Sequence, residues 1–215
     1  MRTELQAELD LITEMLVAMA EAVREAIGTA TRALLTADRD AAQSVVAGDT
    51  RINDLCLRIE DRVQDTTARQ APVASDLRTV FAALHVAADL ERMGDLAKHV
   101  AKTGLRAYPK TAVPPELAPL FGRMAGVADR MAAKMVRVLS EPDVHQAVEL
   151  DRDDNAMDGL HRDLLARLLD AGWPHGTQVA IDAALLGRFY ERYADHAVNA
   201  GRRTVFVVTG MVLPG

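Results

Sequence analysis

Three pairs of carboxylates and one acid–amide pair recur at a spacing of four residues. Glu91 and Asp95 stand in "DLERMGDLAKH", Glu191 and Asp195 in "FYERYADHAVN", Asp154 and Asp158 in "LDRDDNAMDGL", and Asp49 and Asn53 in "GDTRINDL". On a helix, positions i and i+4 share one face, with Cβ atoms about 5–6 Å apart. The surrounding apolar register puts Asp49, Glu91, Asp95, Asp154, Glu191 and Asp195 on or near inward seams. Like charges at this spacing cost a few tenths of a kcal/mol when exposed. Between packed helices each uncompensated ion costs several kcal/mol. Hard cations offset that cost: magnesium, manganese, calcium and iron prefer oxygen ligands, and zinc accepts them. The expected chemistry is therefore metal binding by Asp49, Asn53, Glu91 and Asp95 in one place, and by Asp154, Asp158, Glu191 and Asp195 in another.

Internal cations compete with that reading. Arg188 lies one turn before Glu191 on the same face, and Arg92 and Arg192 are expected to reach acids on adjacent helices. His99 and Asn199 follow Asp95 and Asp195 by four and read as polar neighbours of the pairs. His161, in Asp158-x-x-His161, reads as a satisfied core histidine, and Cys56 as a small buried hydrophobe.

Helices must position these pairs. Apolar residues recur every three or four positions along Leu5, Leu9, Ile12, Leu16, Met19, Val23, Ile27, Ala30 and Leu34, the seam of a first helix. A second follows a break at Thr36–Asp38, with seam Val45, Asp49, Ile52, Cys56, Ile59 and Val63. The third is expected after "RQAPVAS", with Pro72 near its first turn and a seam through Leu77, Phe81, Leu84, Ala88, Glu91 and Asp95. Three prolines in "AYPKTAVPPE", residues 107–116, mark a linker. Beyond it, a fourth helix runs through Leu120, Met124, Val127, Met131, Met135 and Val138. A fifth, opened by "SEPD" with Ser140 as cap, carries Leu150, Asp154, Met157, His161, Leu164 and Leu168. A sixth carries Ile181, Ala184, Arg188, Glu191, Asp195, Val198, Arg202 and Val205.

A shift of 100 residues superposes Glu91, Arg92 and Asp95 on Glu191, Arg192 and Asp195. A shift of 105 superposes Asp49, Ile52, Leu55 and Ile59 on Asp154, Met157, Leu160 and Leu164. The chain thus reads as all-α, two tandem three-helix bundles related by an internal repeat: residues 1–106, a linker at 107–116, and residues 117–215.

Composition narrows the function classes. Of 215 residues, 49% are hydrophobic and only 4% aromatic, which favours helices. A net charge of −6 argues against nucleic-acid binding. One cysteine excludes an internal disulfide and fits a reducing compartment. The longest apolar stretch, "TVFVVTGMVLP", is about half a membrane span. A cytoplasmic protein that meets membranes only through partners is expected. No Gly-rich phosphate loop and no Ser/His/Asp or Cys/His arrangement is present.

The segments "GDTRINDLCLRIED" and "ADLERMGDLAKHV" in the first half, with "LDRDDNAMDGLHRDL" and "RFYERYADHAVNAGRR" in the second, resemble the PhoU family of phosphate-uptake regulators over nearly the whole chain. The resemblance implies a cytoplasmic, often dimeric, non-enzymatic adaptor between a phosphate ABC transporter, with its ATPase, and a sensor histidine kinase. It implies repression of phosphate-starvation signalling when phosphate is plentiful, and multinuclear metal on the paired motifs. Asn53 stands where the motif has an acid, so the first-half site is expected to be the weaker one. Two rival readings are a ferritin-like carboxylate metalloenzyme, for which Asp158-x-x-His161 is the nearest match, and a histidine phosphotransfer module using His145 or His196.

Overall fold

The computed structural model describes residues 2–141 and 144–209. Six helices follow in order: α1 (Arg2–Thr36), α2 (Arg39–Gln70), α3 (Ser75–Ala107), α4 (Ala118–Ser140), α5 (Val144–Leu168) and α6 (Gly176–Thr209). The expected all-α repeat architecture is what forms. Asp38 caps α2, accepting from the Ala41 amide at 3.0 Å and so satisfying one of the orphan donors of the first turn. Two junctions differ from expectation. Pro72 lies buried in the α2–α3 loop, not in a first turn. Ala71 and Ala74 both take positive φ there, 44° and 49°, so the chain reverses before helix resumes at Ser75. Ser140 ends α4 instead of capping α5, its hydroxyl donating to the Val136 carbonyl at 2.9 Å. Pro142 and Asp143 of the expected cap, and residues 210–215 of the apolar tail, lie outside the described residues.

Packing gives the architecture. α1 contacts α3 and α4, and α6 contacts α3 and α4, so these four helices close a central ring. α2 lies against α1 and α3, and α5 against α4 and α6. Each flanking helix thus meets one central helix along the seam where the acid pairs stand. The seams of α1, α2 and α4 are as expected, with Met19, Val23, Ile59, Met124 and Met131 fully enclosed. Each such side chain contributes about 1.5–3 kcal/mol by leaving water.

The seams of α3 and α6 shift. Phe81 is 52% exposed and Ile181 50%, while Ala88, Arg188 and Asp195 also face outward. The buried stripe of α3 is instead Val80, Ala83, Ala87, Leu90, Met93, Gly94 and Ala97, and that of α6 is Ala183, Leu186, Tyr190, Tyr193, Ala194 and Ala197. A central helix buries more than one face, and small residues on it let neighbours approach closely. The large residues Phe81 and Ile181 are left on the outer face. Burial along 81–94 matches 181–194 position for position, so the 100-residue repeat extends from sequence to packing.

One continuous core joins the halves. Across them, Thr31 on α1 meets the buried Tyr190 hydroxyl on α6 at 2.6 Å, and Thr31 also donates to the Ile27 carbonyl at 2.8 Å. Tyr190 therefore donates to Thr31. Burial pushes the Tyr190 phenol far above its ordinary value, so it stays protonated. The Arg24–Asp129 pair at 2.7 Å also crosses the halves, but it is exposed and adds little. Thr31→Val should cost roughly 1–3 kcal/mol, because it strands the Tyr190 hydroxyl without an acceptor. Tyr190→Phe should cost less, since Thr31 keeps its carbonyl, and the double variant should recover part of the Thr31→Val loss. Denaturant unfolding followed by helical circular dichroism checks this; an equal or larger loss from Tyr190→Phe contradicts it.

Candidate functional site

Two seams carry the acids, α2–α3 and α5–α6. Each is closed by a glycine where a side chain would collide. A Cβ on Gly94 would lie 2.9 Å from Ile52 Cδ1, and one on Gly187 would lie 2.4 Å from Leu164 Cδ2 and 3.1 Å from His161 Cδ2. The repeat-related residues are Ala194 and Ala87. Each half therefore brings its flanking helix close through its own glycine, and this proximity lets acids on two helices face one another.

At the α2–α3 seam, Asp49 is 8% exposed, and Glu91, Asp95 and Asn53 are half-buried. Asp49 and Asp95 are already paired. Lys98 places its Nζ 2.6 Å from Asp49 Oδ2 and 2.5 Å from Asp95 Oδ1, bridging the two helices. Asn53 donates to Asp49 Oδ2 at 3.3 Å, and Arg92 lies 3.3 Å from Asp95 and 3.5 Å from Glu91. Arg92 thus pairs on its own helix, contrary to the expected reach to a neighbour: the acids one turn away are nearer than any across a seam. Burial alone would raise the Asp95 carboxyl, but the hydrogen bond and charge of Lys98 outweigh it and hold it below its usual range. Lys98 is raised: its bonds to both acids outweigh burial. Glu91, without a lysine, is pushed up by burial and by Asp95.

The α5–α6 seam lacks an equivalent cation, since the residue matching Lys98 is Val198. Asp154 and Glu191 are half-buried, while Asp158 and Asp195 are exposed at the rim. Arg188 donates to Glu191 Oε1, as expected, yet Glu191 Oε2 and Asp154 Oδ1 are buried without hydrogen-bond partners. Burial, followed by the charges of Asp158, Asp195, Asp151 and Glu191, pushes the Asp154 carboxyl up to about 6. Burial and Asp195 likewise raise Glu191 against the pull of Arg188. The acids just before Asp154 are claimed: Asp151 by Arg202 at 3.0 Å and Asp153 by Lys134 at 2.8 Å. These straps tie α5 to α6 and α4 and leave the half-buried Asp154 uncompensated.

The remaining candidates fall away from the pairs. His99 stacks on Phe189 of α6, ring centroids 5.3 Å apart. His161 packs against Gly187, and burial with Arg188 lowers its pKa. Burial and Glu60 push the Cys56 thiol up to about 11, so it is an inert core residue at neutral pH. His196 is held by Asp89 of α3 at 3.0 Å, half-buried between helices. Lys98 and the Asp89–His196 contact were missed from sequence. Lys98 was open to the same spacing argument, standing three residues after Asp95 on the same face.

Hard-ion chemistry fits the two seams differently. In the first, Lys98 and Arg92 offset part of the charge of Asp49, Asp95 and Glu91, while Asp49 Oδ1 and Asn53 Oδ1 stay buried without hydrogen-bond partners. The second also has unpartnered buried oxygens, on Asp154 and Glu191, and no lysine bridges its acids, so it fits a hard cation better. Among the described residues, no three or more acid, histidine or cysteine side chains are gathered closely enough to hold an ion without side-chain movement.

The raised Asp154 carboxyl gives the seam a pH signature. Its folded pKa exceeds the unfolded value, so its contribution to stability falls as pH rises through about 6. Asp154→Asn should therefore stabilise the metal-free protein at about pH 8 by roughly 1 kcal/mol, discounted for partial exposure. The gain should vanish below about pH 4, where the carboxyl is protonated in both states. Thermal unfolding at the two pH values checks it; a loss of stability at the higher pH contradicts it. Asp95 has the opposite sign, stabilising above the unfolded pKa and losing this as pH falls through its lowered folded value.

Known proteins share this fold. The chain is 44% identical over 214 residues to a phosphate-specific transport system accessory protein, PhoU homolog 1 of Mycobacterium tuberculosis, covering 100% of this chain and 96% of the relative. It is 41% identical over 210 residues to PhoU homolog 2 of the same organism, covering 98% and 99%. Its fold superposes on the crystal structure of PhoU from Pseudomonas aeruginosa with a TM-score of 0.87 at 26% identity, covering 96% of this chain and 99% of that one. The phosphate transport system regulatory protein PhoU from Streptococcus pneumoniae gives a TM-score of 0.87 at 23% identity, covering 98% and 100%, a likeness of fold. The PhoU domain matches twice, at residues 16–103 and 121–204, once over each three-helix repeat. The chain belongs to the PhoU family.

Proposed function

We propose that this protein is a regulator of inorganic phosphate uptake, a non-enzymatic adaptor that represses phosphate-starvation signalling by linking a phosphate ABC transporter to a sensor histidine kinase. The observation that carries the reading is the match of the PhoU domain to both repeats, in a chain whose full length aligns with phosphate-specific transport system accessory proteins. The structure supports a binding role over catalysis. The acids are spread along a helical seam, the cysteine is buried, and Asp158-x-x-His161 is split between an exposed acid and a packed histidine. His196, one of two candidates for phosphotransfer, is half-buried and tied to Asp89. Among the described residues no helix is long and apolar enough to cross a membrane. Within the reading, as the family resemblance implies, the protein is a cytoplasmic homodimer that meets the membrane through the transporter.

Within this reading the second seam is the metal site. Asp154 and Glu191 would hold a hard cation, with Asp158 and Asp195 completing the ligand set from the rim. The ion would supply the charge balance that Lys98 supplies in the first half. Iron, zinc, manganese and magnesium are all compatible with carboxylate ligands.

Metal analysis of the purified protein tests the site. Glu191→Ala/Asp195→Ala should lose most bound metal. Lys98→Met should gain metal, because it frees Asp49 and Asp95. A wild type without metal uptake contradicts the site but leaves the adaptor reading standing. That reading is checked by deleting the gene: starvation genes should be derepressed in phosphate-rich medium, and unchanged expression counts against it.

A further inference from the structure

A groove of about 520 Å³ opens where α3 begins and α6 ends, and Asn199 and Arg202 on its edge also border the hollow beside Asp154 and Asp195. Its apolar surface comes from Leu77, Phe81 and Ala82 of α3 and Phe206 of α6. Phe81 leaves 52% of its surface exposed, an unusual position for so large an apolar side chain. The polar lining is of one sign: Arg78, Arg202 and Arg203 line the groove together with His85 and Asn199, and no carboxylate does. In a chain of net charge −6 this is a local reversal of charge. Two of the arginines lean on acids outside the groove, Arg202 on Asp151 at 3.0 Å and Arg203 on Asp89 at 3.5 Å. Arg202 Nε is buried and finds no acceptor.

The repeat shows that the fold does not require this groove. At the related end of the α3–α6 pair, Gln178 and Asp182 stand for Arg78 and Ala82, and Arg106 stands for Phe206. There Gln178 donates to Asp182 at 3.2 Å, and Arg106 donates to Thr103 at 3.1 Å, so the polar groups satisfy one another. Of the two ends, the one formed by Phe81 and Phe206 combines an apolar floor with three guanidinium groups, of which Arg78 lines the groove without a carboxylate beside it and Arg202 keeps a free Nε.

We infer that this groove binds an amphipathic organic anion. Its apolar body rests on Leu77, Phe81 and Phe206, and its acidic head is held by Arg78 and Arg203. The volume suits a small-molecule ligand, and guanidinium groups suit a carboxylate, sulfonate or phosphate head. The inference concerns residues outside the proposed metal ligands and does not rest on the adaptor reading.

Titration of the full chain with 1-anilinonaphthalene-8-sulfonate and with decanoate, followed by fluorescence and calorimetry, tests it. Both probes should bind saturably at one site, more weakly at high salt. Arg78→Ala/Arg203→Ala should weaken binding by about tenfold or more. Phe81→Asp should abolish it, while Arg24→Ala, exposed on α1 and outside the groove, should leave it unchanged. Arg78 and Phe81 are exposed, and retained helical circular dichroism confirms that the variants fold. Absent saturable binding, or binding indifferent to all three groove substitutions, overturns the assignment. Equal affinity for uncharged decanol and decanoate removes the anionic head and overturns it as well.

Discussion

The structure depends on how negative charge is balanced at two helix seams. Carboxylates from a flanking and a central helix are brought together by close packing at Gly94 in one half and at Gly187 in the other. In the first half one lysine bridges both helices, and Asp49 Oδ1 and Asn53 Oδ1 remain buried without hydrogen-bond partners. In the second half valine takes that position, and the raised Asp154 carboxyl records the missing cation. A buried carboxylate without a partner raises its pKa or recruits a cation. The duplicated motif has thus produced two different electrostatic states: one seam bridged by a lysine, the other without one.

The central ring makes this difference a property of one body. α1 and α3 of the first repeat pack directly on α4 and α6 of the second. Tyr190, Tyr193 and Asp89 reach across to groups of the opposite half. Such cross-contacts join the two halves through packed side chains as well as through the apolar core.

The helices, their number and the repeat were legible because burial imposes a period of 3.6 on the sequence, and because Asp38 and the proline-rich stretch punctuate it. The acid pairs were legible for the same reason: a four-residue spacing becomes a shared face in any helix. The third and sixth seams were misplaced because large apolar residues drew the reading toward Phe81 and Ile181. In a helix packed on several sides the innermost contacts go to alanine and glycine, which carry little hydrophobic signal. The junctions at Pro72 and Ser140 were misjudged because loop geometry and helix length, not residue preference, decided where helix resumes.

The sequence by itself determined the helices, the duplication and which side chains share a helical face, since these follow from local spacing. It also contained the asymmetry at Asn53. Only the tertiary structure decided the larger asymmetry, that Lys98 reaches Asp49 across a helix boundary while Asp154 meets no cation. Which charges meet depends on the distance between two helices, and that distance is set by side chains packed elsewhere along the seam.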